Sequence, residues 1–503
     1  MKKIILLAIF FCVTAVANSQ CKWSIVAAGI NHSLAIKTDG TLWAWGLNKD
    51  GQLGDGTTED KNLPVKIGTE KDWLSICVGK AYSVAVKNDG TLWAWGNNDN
   101  GNFGDGTYTS STKPIQIGGD KDWATVSAEN YHTLAIKTDA TLWAWGNNES
   151  GQLGIGTNTN EIKPAQVSAD KEWAAISAGA SHSLAIKTDG TIWAWGDNQL
   201  FQLGIGTNTN EYKPVQVGSD NDWTIISAGA THNLAIKNNG TLWAWGNNDF
   251  GQLGDGTKDY KEKPIEISAD KEWAYISAGN GHSLASKTDV TLWAWGNNDM
   301  GQLGNGTNNT EYKPVEIGTG IKWGAVSAGY GFSFSITLAD ILWGWGNNDN
   351  GQLGIASNSS QSKPVETSCL FIILPVKLIS FTAQNNNFTT LLNWRAANEI
   401  NHSHYIIQRS ADGRIFTNIS KLPAKKTSYD NNYTLTDASP VNGINFYRLQ
   451  MVDIDGTVTY SQVIKILFTG KIEFKVFPNP ASNIIALSGL GKKQCCNYQL
   501  CRR

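Results

Sequence analysis

Five histidines, His32, His132, His182, His232 and His282, stand at one fixed position of a 50-residue period. Imidazole transfers protons near neutral pH and ligates zinc, so such a set invites an acid–base or metal reading. The spacing argues against both. Side chains at one point of each repeating unit form a ring rather than a cluster, and Tyr82 and Phe332 continue the series without disrupting their units. The expectation is structural, each imidazole bonding a neighbouring backbone group. Asp55, Asp105 and Asp255 also recur in register, but Ile155, Ile205, Asn305 and Ile355 take the same place. A calcium loop needs oxygen side chains at alternate positions and a closing Glu, an order that NNDFGQLGDGT at 247–257 lacks. Its glycines resemble a phosphate loop only in composition, because no Lys-Ser/Thr pair and no helix follow. Cys495, Cys496 and Cys501 lack a fourth ligand and zinc-site spacing, and Asp453 and Asp455 read as turn residues. No nucleophile elbow or H-E-x-x-H helix is present. Catalytic residues, metal and cofactor are all expected to be none, and the chain reads as a non-enzyme.

The elements that position these residues follow from the period. Trp23, Trp43 and Trp45 recur every 50 residues through seven units, which accounts for 21 of the 22 tryptophans. Pro64 and its six equivalents keep the same beat. Self-similarity at this length denotes a repeat architecture. In the fourth unit WAAISAG (173–179), HSLAIK (182–187), TIWAWG (191–196) and PVQV (214–217) read as four short strands between Gly/Asp/Asn turns. In the third strand both tryptophans share one face by the period of two, and Leu42 and Ala44 share the other. Both faces are apolar, so both require cover. Radial packing of seven four-stranded blades supplies it.

The pattern G-x-x-HS-x-A-x-x-x-DG-x-x-WAWG-x-N-x-x-GQLG-x-GT resembles the repeat of the regulator of chromosome condensation family over about 22–367. The resemblance implies an all-β, seven-bladed β-propeller. The seventh unit departs most: Phe332 replaces His, Asp340-Ile341 alters the hairpin and Ala356 replaces a glycine. If the units close evenly, Cys369 falls beside Cys21, within the Cα separation of about 4.4–6.8 Å that a disulfide accepts. A bond between Cys21 and Cys369 is therefore expected to clasp the ring.

Outside the repeats the character changes. Lys2 and Lys3, an apolar run and a small-x-small site read as a signal peptide over 1–20. Lipid attachment at Cys21 is the competing reading. Residues 373–468 alternate as strands, and Trp394 and Tyr447 resemble the landmarks of a fibronectin type III sandwich. FPNPAS at 477–482, followed by an apolar strand, resembles the opening of a type 9 secretion C-terminal sorting domain, truncated within 472–503. The domain plan is thus a signal peptide (1–20), a propeller (21–370), a sandwich (373–468) and a tail. These resemblances imply a secreted or surface location on a Gram-negative bacterium, periplasmic if the shortened tail fails to direct export.

With 41 basic against 44 acidic residues and no Lys/Arg block, the chain lacks the basic surface that nucleic acid demands. No apolar run is long enough to span a bilayer. Binding remains, and comparison of the seven units shows where. Variation concentrates in the turn between strands one and two and in the loop between strands three and four. Antiparallel succession brings both to one face. There the chain carries Tyr131, Leu200, Phe201, Tyr212, Phe250, Tyr260, Met300, Tyr312 and Tyr330, the residue types that interfaces favour. The expected partner of this monomer is a protein or glycan. Inhibition of a secreted hydrolase is the alternative, since the fold and context also resemble an inhibitor that caps β-lactamases, as is a structural or adhesive surface role. Neutral drift of exposed loops, with the apolar side chains packing back on the blade, is the competing account of the variation.

Overall fold

The computed structural model describes residues 22–368, 376–386, 388–399, 402–425, 427, 430–453, 457–469, 475–477 and 486–488. The signal-peptide segment, Cys21, Cys369 and most of the sorting-type tail lie outside them. Among the described residues all regular elements are strands, and no helix is long and apolar enough to cross a membrane.

Each 50-residue unit forms one antiparallel sheet of four strands in sequence order. In the fourth blade these are Trp173–Ala178, His182–Lys187, Ile192–Gly196 and Glu211–Gln216. The last strand begins ahead of Pro214, because Glu211 pairs with Gly196 across a bulge. The third strand buries both faces as its pattern requires. Trp43 and Trp45 join Phe334, Leu342 and Leu353 of the seventh blade, whereas Leu42 and Ala44 join Trp73 and Trp95 of the second. Within a blade the strand-one indole meets both strand-three indoles edge-to-face, Trp23 lying 6.2 Å from Trp43 and 5.9 Å from Trp45. That geometry sets positive ring edges against negative ring faces.

Blades are joined by a repeated set of hydrogen bonds. The Gln52 carbonyl of blade one accepts from Trp95 Nε1 (2.9 Å) and Ser83 Oγ (2.8 Å) of blade two. The same bonds close the ring: Gln352 of blade seven accepts from Trp45 Nε1 at 2.7 Å and Ser33 Oγ at 2.8 Å. Trp23 N donates to the Asp340 carbonyl at the same junction. Closure therefore uses the contacts of every other blade pair, even through the degenerate seventh unit.

The described residues from 376 onward belong to a second compact unit. Strand Thr389–Ala397 pairs with Lys377–Asn386 on one side and Asn431–Asp437 on the other. In a second sheet, His402–Ser410 lies between Thr417–Pro423 and Gly443–Asp453. Val458–Tyr460 and Ile464–Phe468 both pair with Gly443–Asp453. Trp394 is buried against Tyr405 and stacked on Tyr433. The Tyr447 hydroxyl donates to Asp437 at 2.8 Å. Asp453 is buried and holds His402 Nδ1 at 2.9 Å, a structural pairing rather than an exposed turn position.

Candidate protein-interaction face

The five repeated histidines are bound between neighbouring blades. His32 Nε2 lies 3.0 Å from Ser83 Oγ of the next blade. His132, His232 and His282 make the same contact with Ser183, Ser283 and Ser333 at 2.9 Å, and His182 meets Asn233 Oδ1 at 2.7 Å. The partner is thus a side chain of the neighbouring blade, not the backbone group expected from sequence. The hydrogen-bond network fixes the tautomer. Each serine hydroxyl has one proton and donates it to a glutamine carbonyl, so it accepts from Nε2–H. Nδ1 is left bare and finds no partner in any of the five. Burial holds His32, His132, His232 and His282 down at a pKa of about 3, and lowers His182 as well. A fully buried neutral imidazole locked to a hydroxyl has no access to substrate. Tyr82 takes over by donating to the His132 carbonyl at 2.8 Å.

The recurring carboxylates are scaffold too. Asn248, fully buried, accepts from Leu253 N at 3.0 Å. Its amide group donates to Asp255 Oδ1 and the Thr257 carbonyl at 3.1 Å, and to the Asp259 carbonyl at 3.2 Å. Asp255 then accepts from Thr257 N at 2.9 Å and pairs with Lys261 at 2.9 Å. One asparagine ties down the whole strand three–four loop, and no group of metal-ligating residues occurs among the described residues.

What this scaffold presents is the variable face. Tyr212, Phe250, Met300 and Tyr330 are each two-fifths or more exposed, and Tyr108 is 58% exposed. Tyr131, Leu200, Phe201, Tyr260 and Tyr312 are half-buried. Packing explains the division. The Tyr260 hydroxyl is held by Asp249 of its own loop at 2.7 Å. Tyr312 lies close against Gly251 of the preceding blade, and Tyr131 lies under Lys80 Nζ at 4.9 Å. Phe250 and Met300 reach across instead. A β-carbon on Gly281 of blade six would stand 3.2 Å from the Phe250 ring, and one on Gly331 of blade seven 2.8 Å from the Met300 sulfur. The other five units carry larger residues where these glycines stand. Phe250, Met300 and the adjoining Tyr330 thereby form an apolar arc over blades five to seven. Sequence reading placed all three on one face but could not separate them from Tyr260, whose exposure depends on its hydrogen bond.

Phe201 is strained. Its φ is 60°, where the other six units have glycine at φ 72–82°. In blade five the corresponding glycine, Gly251, faces the next blade so closely that a β-carbon would stand 2.5 Å from the Tyr312 ring. A left-handed backbone costs an ordinary L-residue roughly 1–2 kcal/mol. Phe201→Gly is therefore expected to stabilise the propeller by about 1 kcal/mol, measured by denaturant unfolding. An unchanged or lowered midpoint would show that the ring recovers the strain through packing.

This architecture has counterparts among known proteins. Residues 12–337 match the family model described as RCC1-like domain, and residues 340–381 match the regulator of chromosome condensation (RCC1) repeat. The ultraviolet-B receptor UVR8 of Arabidopsis thaliana is 48% identical over 42 residues, which are 8% of this chain and 10% of the receptor. Human WBSCR16 superposes with a TM-score of 0.59 at 20% identity, over 68% of this chain and 96% of its own. Prp20p of Saccharomyces cerevisiae, solved in a study of its binding to Gsp1p and histones, gives 0.58 at 23% identity, over 63% of this chain and 83% of its own.

Proposed function

The chain belongs to the RCC1-like domain family, and from that premise we propose that it is a non-enzymatic binding protein whose propeller captures a partner across the variable face. The observation that carries this reading is the exposed arc of Phe250, Met300 and Tyr330, the first two mounted on loops whose backbone is held by buried asparagines and the third on a tip whose N–H donates to the Gly29 carbonyl. Aromatic and Met side chains on a rigid mount bind at low ordering cost. A propeller of this kind serves Prp20p, whose partners are Gsp1p and histones. A protein is accordingly the partner class proposed here in preference to a glycan.

The flanking segments support a secreted or cell-surface setting. The apolar amino-terminal run suits export, and FPNPAS in the tail suits a sorting signal. The two-sheet order of the second unit, with Trp394 at its core and the Tyr447–Asp437 bond, supports a fibronectin type III-like spacer.

The test is replacement of Phe250, Met300 and Tyr330 by serine in the full chain. Partner capture from the native secretome should weaken roughly 100-fold or more, while the thermal midpoint stays within a few degrees. Equal loss of stability would mean that these side chains pack rather than bind. Retained capture would place the partner elsewhere.

A further inference from the structure

Strand one of every blade lines the central channel. At its variable-face end lies a cavity of about 750 Å³ walled chiefly by small residues such as Ala28, Ala128, Ala178 and Ala228. In six blades a glycine follows the last residue of strand one, but blade three has Glu129 there, and its strand one extends to that residue. The repeat explains why glycine is usual. At Gly179 a β-carbon would stand 2.3 Å from the His182 ring and 2.7 Å from the Gly229 carbonyl. Blade three accommodates its side chain by a shifted rim. Lys80 N donates to the Asn130 carbonyl, whereas in blades five to seven the tip N–H donates to the glycine carbonyl of the next blade. Asn130 takes φ 43° as part of the same change.

Glu129, half-buried, is one of the residues lining the cavity, and its carboxyl makes no hydrogen bond or ion pair among the described residues. Lys80, the other charged lining residue, is turned over the Tyr131 ring. Burial pushes the carboxyl pKa up to about 8. Cys77, whose thiol burial pushes far up, and neutral His132 are the other titratable groups nearby. A carboxylate in such a site gains most from a cation that can follow it out of water. A lone carboxylate does not make a site for Ca²⁺ or Mg²⁺, which require several oxygen ligands. The small-residue walls suit the apolar stem of an alkyl chain.

We propose that the channel mouth is a subsite for a primary alkylammonium group, the side chain of a lysine presented by the bound protein, with Glu129 as its counter-ion. Ala128 and Ala178 flank the stem. The assignment rests on the reading that a partner meets this face, but its test needs no partner, so the two fail separately.

The probe is N-acetyl-lysine N-methylamide, titrated into the full chain at pH 8.5 and followed by calorimetry and by the Glu129 carboxyl carbon resonance. Binding is expected, with the resonance moving on saturation. Glu129→Gln should lose at least tenfold in affinity, as should Glu129→Gly, which installs the residue of the other six blades and guards against misfolding of the first variant. The norleucine analogue, equal in stem but uncharged, should not bind. Equal affinity of wild type and both variants, or binding of norleucine as tight as that of lysine, overturns the proposal. Cadaverine binding far more tightly than the lysine probe would identify a free amine as the ligand and overturn the assignment to a protein side chain.

Discussion

Acidification from pH 7.5 to pH 5 should destabilise the propeller by about 2 kcal/mol for each buried imidazole. His32, His132, His232 and His282 have folded pKa values of about 3, against about 6.5 in the unfolded chain. A base with a depressed folded pKa leaves the unfolded state binding more protons, so stability is present above pH 6.5 and is lost as pH falls below it. Together the four contribute an upper figure of roughly 8 kcal/mol at pH 5, comparable with the whole stability of a typical domain. His182 acts in the same direction. Glu129 acts oppositely: its folded pKa is raised, so its contribution is present below the ordinary carboxylate value and lost as pH rises through about 8. Thermal unfolding in a Glu129→Gln background therefore isolates the histidines. His282→Phe, the residue of unit seven, should remove about 2 kcal/mol of the difference between the two pH values. A slope unchanged by that substitution would show that the imidazoles are not held neutral.

Asn248→Ala should cost roughly 3–5 kcal/mol. The substitution strips Leu253 N–H of its acceptor and the Thr257 and Asp259 carbonyls of their donor. A buried group left unpaired costs about 1–3 kcal/mol, and part of this loop can recover by reaching water. Denaturant unfolding measures the loss, and hydrogen exchange localises it to 248–260. A cost below about 1 kcal/mol would mean that the loop holds its shape through its glycine turns alone.

The fold was legible because its determinants are periodic and apolar. Two tryptophans on one face of a five-residue strand, with leucine and alanine on the other, demand cover on both sides, and seven such units can supply it only to one another. Bonds between blades were less legible. Nothing in HSLAIK says that the imidazole meets the serine one position past the next blade's own histidine. The lysine ending that motif lies between two indoles, Lys237 Nζ standing 4.7 Å from both Trp223 and Trp243, and also pairs with Asp220 at 2.6 Å. Those partners come from three separate segments. The binding face was legible as a location but not as a set of residues. Tyr108 and Tyr260 vary in the same loop, yet a single bond to Asp249 withdraws Tyr260 while Tyr108 projects. Glu129 was visible in principle as a break in a glycine series. Its meaning depended on the channel, which exists only once the ring has closed.

We propose that the partner sits on the face formed by the strand one–two tips and strand three–four loops. Hydrogen–deuterium exchange of the full chain, with and without the captured partner, is the decisive measurement. New protection is expected around residues 250, 300 and 330 and at the tip beside Glu129, with the strand two–three turns and interblade links unchanged. Protection confined to the turns at 188–190, 238–240 and their equivalents would place the partner on the opposite face and contradict it.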